Sequence, residues 1–223
     1  MDTRPSRRTL AKGLAWTVPA LAVGAPAAQA AASGSSMCNC LKVGSIGSSS
    51  LQVATTGGVG TGTGSLVFNL DTGACTQYLN LFNPAYTIAG TGGRIYWNTG
   101  ATNDYTVGAT SGTGTIGQLS GFTSTFTVVG SIPMPNGGGA FTSYTPKYPT
   151  AICFTFTAIF VGLNGFNTQC YYRACFNTGI TSGTGAITAG TGTVNYSFSA
   201  SSVSLTTCAV STDPDCALPA KYP

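Results

Sequence analysis

The chain is poor in the side chains that catalyse proton transfer. It has 223 residues with no His, and because Glu is also absent all five acidic residues are Asp. Without His, neither a Ser-His-Asp triad, a Cys-His pair nor a His-ligated metal site can form within one chain. The acidic residues after residue 30 are Asp71, Asp104, Asp213 and Asp215. They are scattered along the chain, so we expect no enzymatic activity.

One acidic segment has the form of a known catalytic motif. Residues 68–74 read Phe-Asn-Leu-Asp-Thr-Gly-Ala, and their apolar-Asp-Thr-Gly core resembles the signature of aspartic proteases. That resemblance implies two Asp residues that share a proton. The pattern recurs only with Asn, as Asn-Thr-Gly at 98–100 and 177–179. Turn chemistry explains all three copies, and a secreted hydrolase that uses Asp71 is kept as the second alternative function.

The segment 132–149 is a candidate binding loop. It contains four prolines, three consecutive glycines and several aromatic residues, a composition that does not suit a central strand. Long loops of this kind often carry function, and exposed aromatic side chains offer stacking faces for sugars. The other interpretation is a surface loop that covers one end of the fold. The candidate binding residues are Phe141, Tyr144, Lys147 and Tyr148.

The cysteines indicate a disulfide framework. An even number in an exported chain predicts that all of them are paired. Cys38 and Cys40 are too close to pair with each other easily, whereas Cys208 and Cys216 could close a small loop. Paired C-x-x-C motifs are absent, so we expect no metal site and no cofactor. The pairing stays open for the full set: Cys38, Cys40, Cys75, Cys153, Cys170, Cys175, Cys208 and Cys216.

Residues 1–30 have the organisation of a cleavable signal peptide. A basic start is followed by a weakly apolar stretch and by Ala-Gln-Ala at 28–30, a small-x-small cleavage site. The run Ser-Arg-Arg-Thr-Leu-Ala-Lys at 6–12 resembles a twin-arginine export signal. The leader as a whole is similar to those of secreted actinobacterial surface proteins. This resemblance implies a secreted or cell-surface protein and leaves the export route, Sec or twin-arginine, open.

The charge balance changes once the leader is set aside. The leader holds four of the nine basic residues and one of the five acidic residues, so residues 31–223 carry a net charge of +1. No basic cluster remains to neutralise phosphates, so we expect neither nucleic acid nor an anionic membrane surface as a partner. No later apolar run is long enough for a transmembrane segment.

The alternation of side chains predicts strands. Apolar and hydroxyl residues alternate most clearly in 122–128, 152–161 and 194–199, with the period of two that strands require. Recurrent Gly-Thr-Gly triplets are interpreted as turns. We therefore predict one all-β domain over 31–223, an antiparallel β-sandwich (Ig-like or jelly-roll-like) with disulfides and a long Pro/Gly loop. Weaker strand candidates are 65–70, 77–82, 85–88, 94–98, 105–107, 170–176 and 203–207.

These observations favour a structural function. Strands that carry Thr, Ser and Gly instead of charge do not repel one another when subunits approach, and open edges can pair between chains. We expect a secreted or cell-surface structural or adhesive protein of a Gram-positive bacterium, such as a self-assembling envelope or filament subunit. The first alternative is an extracellular module that binds carbohydrate or a cell-envelope polymer.

Overall fold

The structure is almost entirely β-strand, and the predicted all-β class is confirmed. A computed structural model describes residues 37–56, 59–133, 147–188, 191–208 and 214–222, and the predicted signal peptide lies outside these ranges. No helix among the described residues is long and apolar enough to cross a membrane. The described strands are β1 (Lys42–Thr56), β2 (Val59–Asp71), β3 (Phe82–Trp97), β4 (Thr102–Ser111), β5 (Gly114–Thr115), β6 (Leu119–Val128), β7 (Ile132–Pro133), β8 (Pro149–Gly162), β9 (Asn167–Asn177), β10 (Thr184–Thr188), β11 (Thr191–Ala200) and β12 (Ser204–Cys208).

All of these strands belong to one antiparallel sheet. Their order is β10-β11-β1-β2-β6-β4-β3-β8-β9-β12, with β5 paired to β3 and β7 paired to β2. Hydrogen bonding runs without a break from β10 to β12, so the two separate sheets of a sandwich are not confirmed. The sheet is instead a curled half-barrel.

Aromatic packing shows how the sheet curls. The ring of Phe68 on β2 lies 5.1 Å from that of Phe154 on β8, between centroids, although three strands separate β2 from β8 along the sheet. Near the two ends of the sheet, the rings of Phe176 on β9 and Phe198 on β11 are 6.0 Å apart. One face of the sheet therefore closes on itself, and its apolar side chains form the core without a second layer.

The Gly-Thr-Gly triplets were predicted to be turns, but not all of them are. Residues 60–64 lie inside β2, where Gly60 and Gly62 are buried and Thr61 and Thr63 are exposed. These glycines occupy the inward positions of a regular strand and leave room for larger side chains opposite. The Asn-Thr-Gly segment at 98–100, in contrast, does form a turn, in which the Gly100 amide donates to the Trp97 carbonyl oxygen at 2.9 Å. Gly100 and Gly179 both have positive φ angles, 80° and 67°, which suit glycine.

An inward glycine of β3 is covered by an aromatic ring. A Cβ placed on Gly93 would lie 2.2 Å from the Tyr105 ring and 2.3 Å from the Cys153 carbonyl oxygen. The Tyr105 hydroxyl donates a hydrogen bond to that same oxygen, at 3.2 Å. The missing side chain thus allows a buried tyrosine of β4 to reach across β3 to β8, which tightens the curl.

All eight cysteines are paired, as predicted. Cys38–Cys170 and Cys40–Cys75 attach the chain before β1 to β9 and to a short 3-10 helix, Gly73–Tyr78. Cys153–Cys175 joins β8 to β9, and Cys208–Cys216 closes the expected small loop. The bridges therefore hold the N-terminal segment and the last strands, where the sheet has fewest neighbours.

Two local predictions were wrong. The segment 77–82 was expected to be a strand, yet most of it lies in the 3-10 helix and the turn that follows, and only Phe82 begins β3. The strand β1, of 15 residues, was not predicted, because its Ser and Gly content hides its alternation. The separate candidates 85–88 and 94–98 are parts of the single strand β3.

Gly93→Ala should destabilise the fold. The new methyl group would collide with the Tyr105 ring and with backbone, so we expect a loss of about 1–3 kcal/mol in the free energy of unfolding. Urea unfolding of the oxidised protein measures it. Gly121→Ala in β6 is the matched control, because its Cβ would meet only the movable end of the Asn69 side chain, at 3.3 Å. Equal stability of the two variants would contradict the packing described here.

The disulfides should differ in their contribution to stability. Cys38–Cys170 spans 132 residues and Cys208–Cys216 spans 8. In the chain-entropy account, removal of these bridges costs about 5 and about 2.5 kcal/mol respectively. Paired Cys→Ala variants of each bridge, compared by urea unfolding, should show this order, and the reverse order would show that the closed loop length does not govern their effect.

Candidate functional site

The described end of the predicted binding loop is tied to the fold. Lys147 and Tyr148 are half-buried and precede β8, whereas Phe141 and Tyr144 lie outside the described residues. The Tyr196 hydroxyl donates a hydrogen bond to the Lys147 carbonyl at 2.5 Å, and the Tyr148 amide donates to Asn98 Oδ1 at 3.1 Å. The Tyr148 side chain packs against the core. Its role as a stacking face for sugars stays a prediction.

The Asp-Thr-Gly segment forms a turn at the end of β2. Asp71 Oδ1 accepts a hydrogen bond from the Gly73 amide at 2.8 Å. Thr72 is fully buried, and its hydroxyl accepts from the Gly117 amide at 3.0 Å and lies 3.1 Å from the Gln118 carbonyl oxygen. The described residues contain no group of three or more acidic, His or Cys side chains that could hold a metal. These contacts account for the motif by turn formation, and a hydrolase based on Asp71 stays a prediction.

An arginine on the outer face of β3 holds a later part of the chain. Arg94 Nε and Nη2 donate to the two carboxylate oxygens of Asp104, at 2.5 and 3.0 Å. Its Nη1 donates to the carbonyl oxygens of Leu218 and Pro219, each at 3.2 Å. The hydrogen bond from Arg94 lowers the pKa of Asp104. One guanidinium group thereby joins a charge pair on neighbouring strands to the segment 217–222.

Two further side chains complete this attachment. The Tyr96 hydroxyl donates to the Pro219 carbonyl at 2.6 Å, and Arg173 Nη1 donates to the Ala217 carbonyl at 2.6 Å. Tyr222 lies edge-on to the Tyr96 ring, 5.7 Å between centroids, and burial raises the pKa of Tyr96. The segment covers the outward-facing Cys153–Cys175 bridge. These polar groups therefore attach the segment 217–222 to the outer face of the sheet.

Among the described residues, the sheet ends at β10 and β12. β10 and β12 each have five residues, and neither strand contains a charged residue or a proline. Among the described residues, β10 is hydrogen-bonded to β11 alone and β12 to β9 alone. Natural proteins usually protect such edges with Lys, Pro or bulges. β10 and β12 contain neither Lys nor Pro.

A groove lies beside one of these edges. β10 pairs with Thr191–Asn195, whereas the ladder between β11 and β1 continues to Ala200, so residues 196–200 have a strand partner on one side only among the described residues. The groove next to them has a volume of about 630 Å³, and none of its lining residues is charged. Exposed hydroxyl side chains line it from β1, β11 and the loop after β9: Ser48, Ser50, Ser197, Ser199, Thr181 and Ser182.

Sequence reasoning did not find this groove. Its residues come from three distant segments, and single Ser and Thr residues carry no local signal of a shared site. One signal is that β10 is only half as long as β11. It indicates an unpaired stretch of β11 only once the pairing of these two strands is known. In comparisons with known proteins, the chain matches no protein-family model, no curated protein and no solved structure.

The contact between Arg94 and Asp104 should make stability depend on acid. Because the pKa of Asp104 is lowered in the folded state from its ordinary value of 3.8, its contribution is complete above that value and is lost as the pH falls through the folded pKa. Asp104 is 54% exposed, so we expect the effect at neutral pH to be below about 1 kcal/mol. The melting temperatures of wild type and Asp104→Asn should differ at pH 6 and converge below the pKa. A difference that persists in strong acid would exclude this cause.

Proposed function

We propose that this chain is a secreted structural or adhesive protein of a Gram-positive bacterial surface, whose copies associate through the open edges of the sheet. The observation that carries this proposal is the pair of edge strands, β10 and β12, that lack charge and proline. An exposed, uncharged edge presents unpaired N–H and C=O groups to another chain.

The outer face of the sheet supports association. One row of side chains crosses five neighbouring strands, and every member of the row is exposed and uncharged. Such a surface neither repels nor steers an approaching copy electrostatically. Its hydroxyl and amide groups form hydrogen bonds with water, which explains how a protein with few charges can present a broad face to solvent. The row consists of Asn195, Gln52, Thr63, Thr127 and Thr106.

Secretion is supported by two independent features. The organisation of residues 1–30 is typical of an export signal. The four disulfides are consistent with a protein outside the cytoplasm, where thiols are not kept reduced. A scaffold with these crosslinks suits a surface structure that must persist without chaperones.

The alternative functions have no such support. Binding of carbohydrate or an envelope polymer through Phe141, Tyr144, Lys147 and Tyr148 stays a prediction, because two of these residues lie outside the described ranges and Tyr148 packs on the core.

Charge placed on both edges should prevent association. Thr184 on β10 and Ser204 on β12 are exposed, so the double variant Thr184→Lys, Ser204→Lys should fold and remain monomeric at concentrations where the mature wild type assembles. Light scattering and electron microscopy report assembly. Asn80→Lys with Thr113→Lys is the matched control, because it also adds two Lys at exposed positions, outside the edge strands and outside the row of the outer face. A monomeric wild type at high concentration would refute the proposed function.

A further inference from the structure

The uncovered half of β11 has the features of an acceptor for one added strand. Residues 196–200 form a ladder with β1 on one side, and β10 stops before them on the other. In a strand with a single partner, every second residue turns its N–H and C=O groups away from that partner. An extended peptide laid there would continue the line of β10 and satisfy those groups.

The groove beside this edge restricts what can enter. Its volume of about 630 Å³ lies between β11 and the loop 178–183. The walls carry serine and threonine hydroxyls, and the lining includes the buried ring of Phe198 and the half-buried Ile180. Since no charged group lines it, a charged peptide would lose hydration without gaining a partner. The occupant that fits is therefore an extended, uncharged segment with small side chains.

The chain contains such a segment before its first described residue. Residues 31–36 read Ala-Ala-Ser-Gly-Ser-Ser, with no charge and no proline, and they would remain after cleavage at Ala30. Their six residues are long enough to form a ladder with the five uncovered residues of β11. Small side chains also suit a groove walled by serines.

The described residues that follow this segment are held firmly. Met37 is fully buried, and the next residue is bonded to Cys170 near the start of β9. The Cys38 carbonyl oxygen also accepts a hydrogen bond from the Tyr172 hydroxyl at 2.7 Å. The segment 31–36, which we call the arm, therefore starts from a covalently anchored position.

The arm is too short to fill the groove of its own copy. Cys170 lies near the start of β9, and Thr178, which lines the groove, directly follows the end of that strand. At the rise of a strand, these two residues are about 26 Å apart. Six extended residues span about 20 Å. Met37 and the groove therefore lie toward opposite ends of the same body, which favours contact of the arm with a second copy.

We propose that residues 31–36 of one copy add as a strand to residues 196–200 of a second copy, in the groove lined by Ser197 and Ser199. This inference rests on the proposed function and adds one contact between copies to those of the edge strands β10 and β12. Because donor and acceptor are different surfaces, the contact is head-to-tail and links subunits into a ring or an open chain, according to the rotation between neighbours.

Photo-crosslinking tests the contact directly. The mature protein, its N-terminus established by intact mass, carries p-benzoylphenylalanine in place of Ser199 and is irradiated under assembling conditions. Mass spectrometry should locate an adduct between copies within residues 31–36. The same photo-crosslinker in place of Thr63, exposed on the central strand β2, is the control and should not label the arm. Adducts confined to other segments would overturn the proposal.

A matched pair of arm variants tests the need for backbone hydrogen bonds. Ser33→Pro with Gly34→Pro removes two neighbouring N–H donors, one of which faces the acceptor strand in either register, whereas Ser33→Ala with Gly34→Ala keeps both. We expect the proline variant to raise the concentration needed for assembly at least about tenfold and the alanine variant to leave it unchanged. Equal assembly by both would overturn the arm contact and leave the proposed function standing.

Failure of the proposed function can also be distinguished from failure of the arm contact. If the wild type does not assemble, the proposed function fails, and the hexapeptide Ala-Ala-Ser-Gly-Ser-Ser is then added at millimolar concentration to the protein with the photo-crosslinker at Ser199. Labelling by the peptide would support the groove as a strand acceptor. Absence of labelling would reject it.

Discussion

The need to bury one face of a single sheet governs this structure. The described residues provide no second layer, so the apolar face can leave water only if the sheet closes on itself. The ring of Phe68 meets that of Phe154 because the intervening strands bend, and inward glycines such as Gly93 permit the close approach that bending requires. Disulfides then attach the segment before β1 and the last strands, which have the fewest strand neighbours.

The incomplete curl leaves the edges on which the functional argument depends. A closed barrel has no unpaired backbone, whereas this sheet ends at β10 and β12. The charged residues of the outer face do not protect these edges, because Arg94, Asp104 and Arg173 are used to hold the segment 217–222.

Strands with large alternating side chains could be predicted from the sequence, as in β6, β8 and β11, because burial of every second residue sets the pattern. β1 and the first half of β2 could not, since Gly and Ser occupy positions where the partner strand supplies the volume. The pairing of all cysteines was predictable from their even number. The groove was not, because it results from the unequal lengths of β10 and β11 and from the return of the loop 178–183.

The long Cys38–Cys170 bridge has a consequence for the order of oxidation. A chain that emerges across a membrane from its N-terminus presents Cys38 and Cys40 first, and Cys75 arrives long before Cys170. Both early thiols can then compete for Cys75, although only Cys40 belongs with it. A threaded chain that pairs Cys38 with Cys75 would therefore need thiol exchange once Cys170 has arrived, whereas a chain that folds before transport has both correct partners in place from the start.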